Sequence, residues 1–330
     1  MRCFARPVVV FSRCLGFAAC RYDGEIVIEP VVEALKPYVE ARSVCPEVAI
    51  GLGLPRDPIR LVARERGVRL IQPSTGRDLT GPMRRFAESF LETLDEVDGF
   101  ILKAGSPSCG LRDAKVHPGA RAAKPVSRAS GLFAEKALER FPDLPILSEK
   151  GFMRSAARRH ALTRLFAAAS FRFVKGSAAV KDLVRFHSKN KLLLLAHNET
   201  DERAMGRLVA TVRGRPFEGA ISEYEAHLRH ALSRPPRRGG HANVLEHALG
   251  YFSERLSREE KASFLESLDG YREGRVDLDP CLERMRAWIA HFEEPSLAAQ
   301  TYFEPFPGGL VENVAQVPDA SGRRRRSSSP

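Results

Sequence analysis

Three short apolar runs, at positions 7–11 (PVVVF), 38–44 (YVEARSV) and 99–103 (GFILK), each give way to a loop that holds a cysteine: Cys14, Cys45 and Cys109. Runs of this length rich in Val, Ile and Phe and bounded by Ser, Pro and Gly read as strands. If the three are parallel neighbours, their C-terminal ends lie along one edge of a sheet. That edge is where open α/β sheets bind ligands. Three thiolates meeting there form a site for a soft metal centre, and an iron–sulfur cluster with one iron left unligated by protein fits best.

The rest of the first ~150 residues supports such a sheet. Helical spacing recurs at 29–40 and at 83–97, where Met83, Phe86, Phe90, Leu94 and Val97 share one face behind Gly81-Pro82. The runs 59–63, 68–72 and 144–148 read as further short extended segments. After Gly151 strand signals stop. Helices are expected at 180–197, 221–232, 242–256, 258–268 and 280–292, with breaks at Pro235-Pro236 and Gly239-Gly240. The expected fold is an α/β N-terminal domain, with a mostly parallel Rossmann-like sheet and helices on both faces, followed by an all-α C-terminal domain. The boundaries are placed at 1–152 and 153–318, with a disordered basic tail at 319–330.

Composition narrows the functional classes. No apolar stretch is long enough for a membrane span, and the opening residues do not form a signal peptide, so a cytoplasmic protein without a membrane partner is expected. Six cysteines in 330 residues do not make a disulfide framework, and in a reducing compartment clustered thiols point to metal or catalysis. Net charge is +11 and uneven: between Gly151 and Lys191 ten lysines or arginines stand against one acid, Asp182. Arg154, Arg158, Arg159, Arg164, Arg185 and Lys189 are the candidates for gripping a polyanion such as RNA. The alternative use of the helical domain is to form a homodimer.

The cysteine loops also carry polar chemistry. Glu47, two residues past Cys45, is placed for proton transfer at whatever a metal would bind, and its bland alternative is a salt bridge to Arg21 or Arg56. Ser106 and Ser108 flank Pro107 just before Cys109 and offer hydroxyls to a heterocycle. Cys20 is an ambiguous fourth thiol. Cys3 and Cys281 read as structural. Neither a phosphate-binding glycine loop nor another ATP-activation motif is present, which argues against a sulfurtransferase.

The motifs CLGFAACRYDG (14–24), CPEVAIGLGLPR (45–56) and SPSCG (106–110) resemble those of the thiouracil desulfidase (TudS-like) family over about 5–150. LVRFHSKNKLLLLAH (183–197), HANVLEHALGYF (241–252) and QTYFEPFP (300–307) resemble the helical YbgA-like domain. The fused arrangement is similar to RudS-type desulfidases of 4-thiouridine in tRNA. The resemblance implies a 4Fe-4S cluster on Cys14, Cys45 and Cys109, a non-redox reaction and thiolated tRNA as partner; Glu47 is the residue expected to serve as general base or proton shuttle. Free thiouracil or its nucleotide is the alternative substrate.

Overall fold

The computed structural model describes residues 2–65, 67–152 and 155–310. Its first half alternates strand and helix in the order β1 (Val8–Ser12), α1 (Pro30–Leu35), β2 (Glu40–Val44), α2 (Pro46–Ala49), β3 (Arg60–Arg64), β4 (Gly67–Ile71), α3 (Thr80–Glu92), β5 (Gly99–Leu102), β6 (Ala114–His117), β7 (Ser127–Ala129), α4 (Leu132–Arg140) and β8 (Ile146–Ser148). The helices α5 (Ser155–Ser177), α6 (Val180–His197), α7 (Glu199–Thr211), α8 (Phe217–Ala231), α9 (Arg238–Gly250), α10 (Arg258–Glu273), α11 (Leu278–His291) and α12 (Pro295–Ala298) follow. The described residues form two compact units: one runs through Ala169 and takes back Pro307–Leu310, and the other is Ser170–Phe306.

In the first unit, β2, β1, β5 and β8 form a parallel sheet in that order, with Val9 opposite Ala41 and Val10 opposite Phe100. The two central strands, β1 and β5, are buried at every residue. That explains their unbroken apolar runs, since a parallel sheet covered on both faces has no solvent side to alternate with. Phe100 and Phe133 are fully buried in the core beside this sheet, and each contributes about 1.5–3 kcal/mol relative to an exposed ring.

A second sheet was not legible in the sequence. β3 and β4 pair as an antiparallel hairpin, β3 pairs parallel with β6, and β7 pairs antiparallel with β6, in the order β4-β3-β6-β7. β6 and β7 are only four and three residues long, too short to show a period. The helix expected at 29–40 ends at Leu35 and passes through a 3-10 turn at Lys36–Tyr38, because Pro37 cannot supply the next backbone donor.

The unit boundary falls inside α5 rather than ahead of it. The first half of α5 is part of the α/β core: Leu162, Leu165 and Phe166 are buried, and Phe166 meets the Phe4 ring edge-on at 6.0 Å. Within the helical unit, α6 spans the residues its pattern predicts. The Asn198 side chain caps α7 by accepting from the Thr200 and Asp201 amides at 3.0 and 3.2 Å. The break expected at Gly239-Gly240 is instead the first turn of α9. A Cβ on Gly240 would stand 2.2 Å from the Ala196 carbonyl oxygen, so this glycine serves close approach of α9 to α6 and not a turn. No helix of the described residues is long and apolar enough to cross a membrane.

Candidate functional site

The parallel order β2-β1-β5 carries the chain to one sheet edge three times. Ser12, Val44 and Leu102 close these strands, and Cys14, Cys45 and Cys109 lie in the loops beyond. The ladder extends past the strands: the Arg13 amide donates to the Val44 carbonyl at 2.8 Å, and the Lys103 amide donates to Ser12 Oγ at 2.9 Å. Pro46 opens α2 directly after Cys45, which sets the thiol at the strand end and Glu47 within the first turn.

The thiols feel one another. Burial, then the neighbouring Cys45, pushes the Cys14 thiol up to about 11, with Lys103 pulling the other way. Burial raises Cys109 well above the ordinary thiol value; the Ser12 hydroxyl bonded to it works against this, and Cys14 and Cys45 add to it. Cys20 joins them. It is 3% exposed, and burial followed by contact with the Cys45 thiol raises it to about 12. The Cys45 Sγ lies 3.7 Å from the Cys20 carbonyl oxygen. Gathered thiols are a donor set that a bound cation would deprotonate. Among the described residues no three His, Cys, Asp or Glu side chains close on the point a single metal ion would occupy. Soft cysteine sulfurs are the ligands by which iron–sulfur clusters are held, so the chemistry of this donor set suits such a cluster.

A charged network surrounds the thiols. Arg56 grips Glu47 Oε2 with Nε at 2.9 Å and with a terminal nitrogen at 2.7 Å. Both terminal nitrogens of Arg56 also donate to the Cys20 carbonyl at 3.1 Å. Glu47 Oε1 accepts from Ser108 Oγ at 3.0 Å. Of the two salt-bridge partners the sequence allowed, Arg56 is the one realised; Arg21 pairs with Asp23 at 2.8 Å instead. Ser108 is fully buried against the carboxylate. Ser106 turns its hydroxyl inward and accepts from the Ser108 and Cys109 amides, both at 3.1 Å, so it shapes the cysteine loop. Gly131 lies under the same loop, where a Cβ would stand 2.4 Å from the Ser108 carbonyl carbon.

Sequence reasoning offered Arg56 only as a salt-bridge alternative and missed two other members of this site, Lys103 and Glu149. Arg56 carries the clamp, and Lys103 forms an ion pair with Glu149 at 2.5 Å. Only the last residue of GFILK hinted at Lys103, and Glu149 had no signal beyond following a strand.

The basic candidates separate. Arg185 and Lys189 are exposed one turn apart on α6, on the side that also carries exposed Lys181. Arg158 is corrected: at 8% exposure it lies on the face of α5 that buries Leu162 and Leu165, and is not a surface residue. Arg159 and Arg164 are half-buried, and Arg164 donates to the Asp143 carbonyl at 3.2 Å. Arg154 lies outside the described residues. Phe171 stacks on Tyr224 in the helical core, while Phe173 is exposed.

Residues 9–149 match the family model described as 2-thiouracil desulfurase, and residues 191–307 match DUF1722, described as a protein of unknown function. The chain is 30% identical to the uncharacterized protein YbgA of Escherichia coli (strain K12) over 148 residues, 44% of this chain and 88% of that protein. It is 30% identical to the uncharacterized protein YbbK of Bacillus subtilis (strain 168) over 110 residues, 31% of this chain and 73% of that protein. Among solved structures it is similar to the [4Fe-4S]-dependent thiouracil desulfidase TudS, with 28% identity, 44% of this chain and 92% of that chain covered, and a TM-score of 0.36.

Proposed function

We propose that this chain, a desulfidase of the 2-thiouracil desulfurase family through residues 9–149 and a relative of YbgA through its second half, uses a 4Fe-4S cluster to convert 4-thiouridine in tRNA to uridine. The observation that carries this reading is the meeting of Cys14, Cys45 and Cys109 at one sheet edge beside the Glu47–Ser108 pair.

When bound to the three thiolates, the cluster supplies a thiophilic Lewis acid that polarises the C=S bond and makes its carbon electrophilic. The protein's part is proton handling. Arg56 fixes Oε2 of Glu47 and leaves Oε1 to Ser108, so the carboxylate has one anchored and one working oxygen. The working oxygen takes a proton from the water that adds to the carbon, and Ser108 holds that oxygen in register. Water's oxygen replaces sulfur, and sulfur leaves as hydrogen sulfide. The exchange balances without ATP, oxidant or reductant. Ser106 acts through the loop, holding the Cys109 amide in place.

The exposed Lys181, Arg185 and Lys189 of α6 support a polyanionic substrate, because lysine and arginine supply most nucleic-acid affinity without reading sequence. The test is anaerobic reconstitution with iron and sulfide, followed by mixing with tRNA bearing 4-thiouridine, without ATP or reductant. The near-ultraviolet thiocarbonyl absorbance should disappear, and Glu47→Gln should slow its loss by about 10²–10⁴-fold. Consumption of free thiouracil with the tRNA left intact would replace the tRNA reading with a scavenging one.

A further inference from the structure

Lys103 directly follows β5, and its amide and its ammonium are both engaged at the sheet edge. Its amide donates to Ser12 Oγ at 2.9 Å, and Ser12 ends β1 two residues before Cys14. Its Nζ lies 2.5 Å from Glu149 Oε1 and 3.2 Å from the Ala104 carbonyl. The other oxygen of Glu149 accepts the Ala104 amide at 2.7 Å. The Glu149 side chain is 1% exposed and that of Lys103 24%. A buried carboxylate directly past β8 is thus held by two donors from the two residues directly past the neighbouring strand β5. Assembling such a pair out of water is expensive, and a well-packed apolar pair is often as stable, so its presence beside the thiols calls for a use other than folding. Both charges stand past the C-terminal ends of β5 and β8, at the sheet edge where the neighbouring β1 leads into the Cys14 loop.

We propose that the Lys103–Glu149 pair is an electrostatic positioning element of the iron–sulfur site, in which Lys103 supplies positive charge to the centre held by Cys14, Cys45 and Cys109 while Glu149 fixes the ammonium and moderates its charge. This rests on the iron–sulfur reading above. Net charge around a cluster is one of the levers that set its reduction potential. It also sets how strongly an open iron draws electron density from a bound sulfur. The reaction is non-redox, so the potential serves as a readout of charge that does not depend on turnover.

The experiment is a redox titration of the reconstituted full chain, followed by electron paramagnetic resonance, for wild type, Lys103→Met, Lys103→Arg and Glu149→Gln. Lys103→Met should shift the potential to more negative values, Glu149→Gln to more positive values, and Lys103→Arg should stay near wild type. Loss of packing would not move the two neutralising variants in opposite directions. If Glu149→Gln does not fold, Lys103→Gln against Lys103→Arg decides, since only the neutral variant should shift. Unchanged potentials, or shifts of the same sign, overturn the proposal while leaving the desulfidase reading intact. A wild-type chain that binds no iron overturns both.

Discussion

Replacing Arg56 by methionine removes the most heavily used side chain in the site. Its guanidinium makes two contacts to Glu47 Oε2, at 2.9 and 2.7 Å, and two to the Cys20 carbonyl at 3.1 Å. Arg56 is 3% exposed along its side chain and Glu47 13%. Taking one partner from a buried ion pair costs about 3–5 kcal/mol, and the partial exposure of Glu47 places this pair at the lower end. The Cys20 carbonyl keeps only the weak Cys45 thiol as donor, which adds about 1 kcal/mol. The expected loss is therefore about 4 kcal/mol, a large part of the roughly 5–15 kcal/mol that holds a domain folded. Glu47→Gln removes the stranded charge, so the double variant should recover about 2 kcal/mol in a double-mutant cycle.

The assay is urea unfolding of the cluster-free chain, read by amide hydrogen exchange at β1 and β5. Tryptophan fluorescence does not serve, because the single tryptophan, Trp288, belongs to the helical unit. A loss below about 1 kcal/mol, or additive variants within about 0.5 kcal/mol, would show that Arg56 and Glu47 do not act as one unit.

Three further outcomes are expected. Gly131→Ala puts a methyl group 2.4–2.7 Å from the backbone of Ser108 and Cys109 and should cost about 1–3 kcal/mol in a thermal melt together with bound iron on reconstitution; retention of both contradicts the packing argument. Arg185→Ala and Lys189→Ala should each lower the slope of log affinity for tRNA against log salt by about 1, whereas Arg158→Ala should change stability and leave that slope alone. Burial, and then Lys191, hold the His187 ring below the ordinary imidazole value, so the unfolded chain takes up this proton first. The stability His187 contributes is complete above about pH 6.5 and falls as pH drops through that value toward the lowered folded one. Glu202, raised by burial, acts with the opposite sign, because its folded form takes up a proton before the unfolded chain does. His187→Gln should therefore reduce the acid-side loss in urea midpoints measured at pH 7.5 and 5.5, and an equal loss in both proteins contradicts it.

The sequence by itself determined the strand-then-cysteine order and the run of α6, because periodicity and turn residues act within a few positions of one another. It also placed Glu47 and Ser108 within reach of the thiols, since each sits within two residues of a cysteine that ends at the same sheet edge. Only tertiary structure chose Arg56 over Arg21 as the partner of Glu47, drew Cys20 to Cys45, joined Lys103 to Glu149, buried Arg158 and brought α9 onto Ala196 through Gly240. Each of these depends on which strands and helices become neighbours. Local propensity carries no information about distances between segments tens of residues apart, and those distances are set when the apolar faces pack.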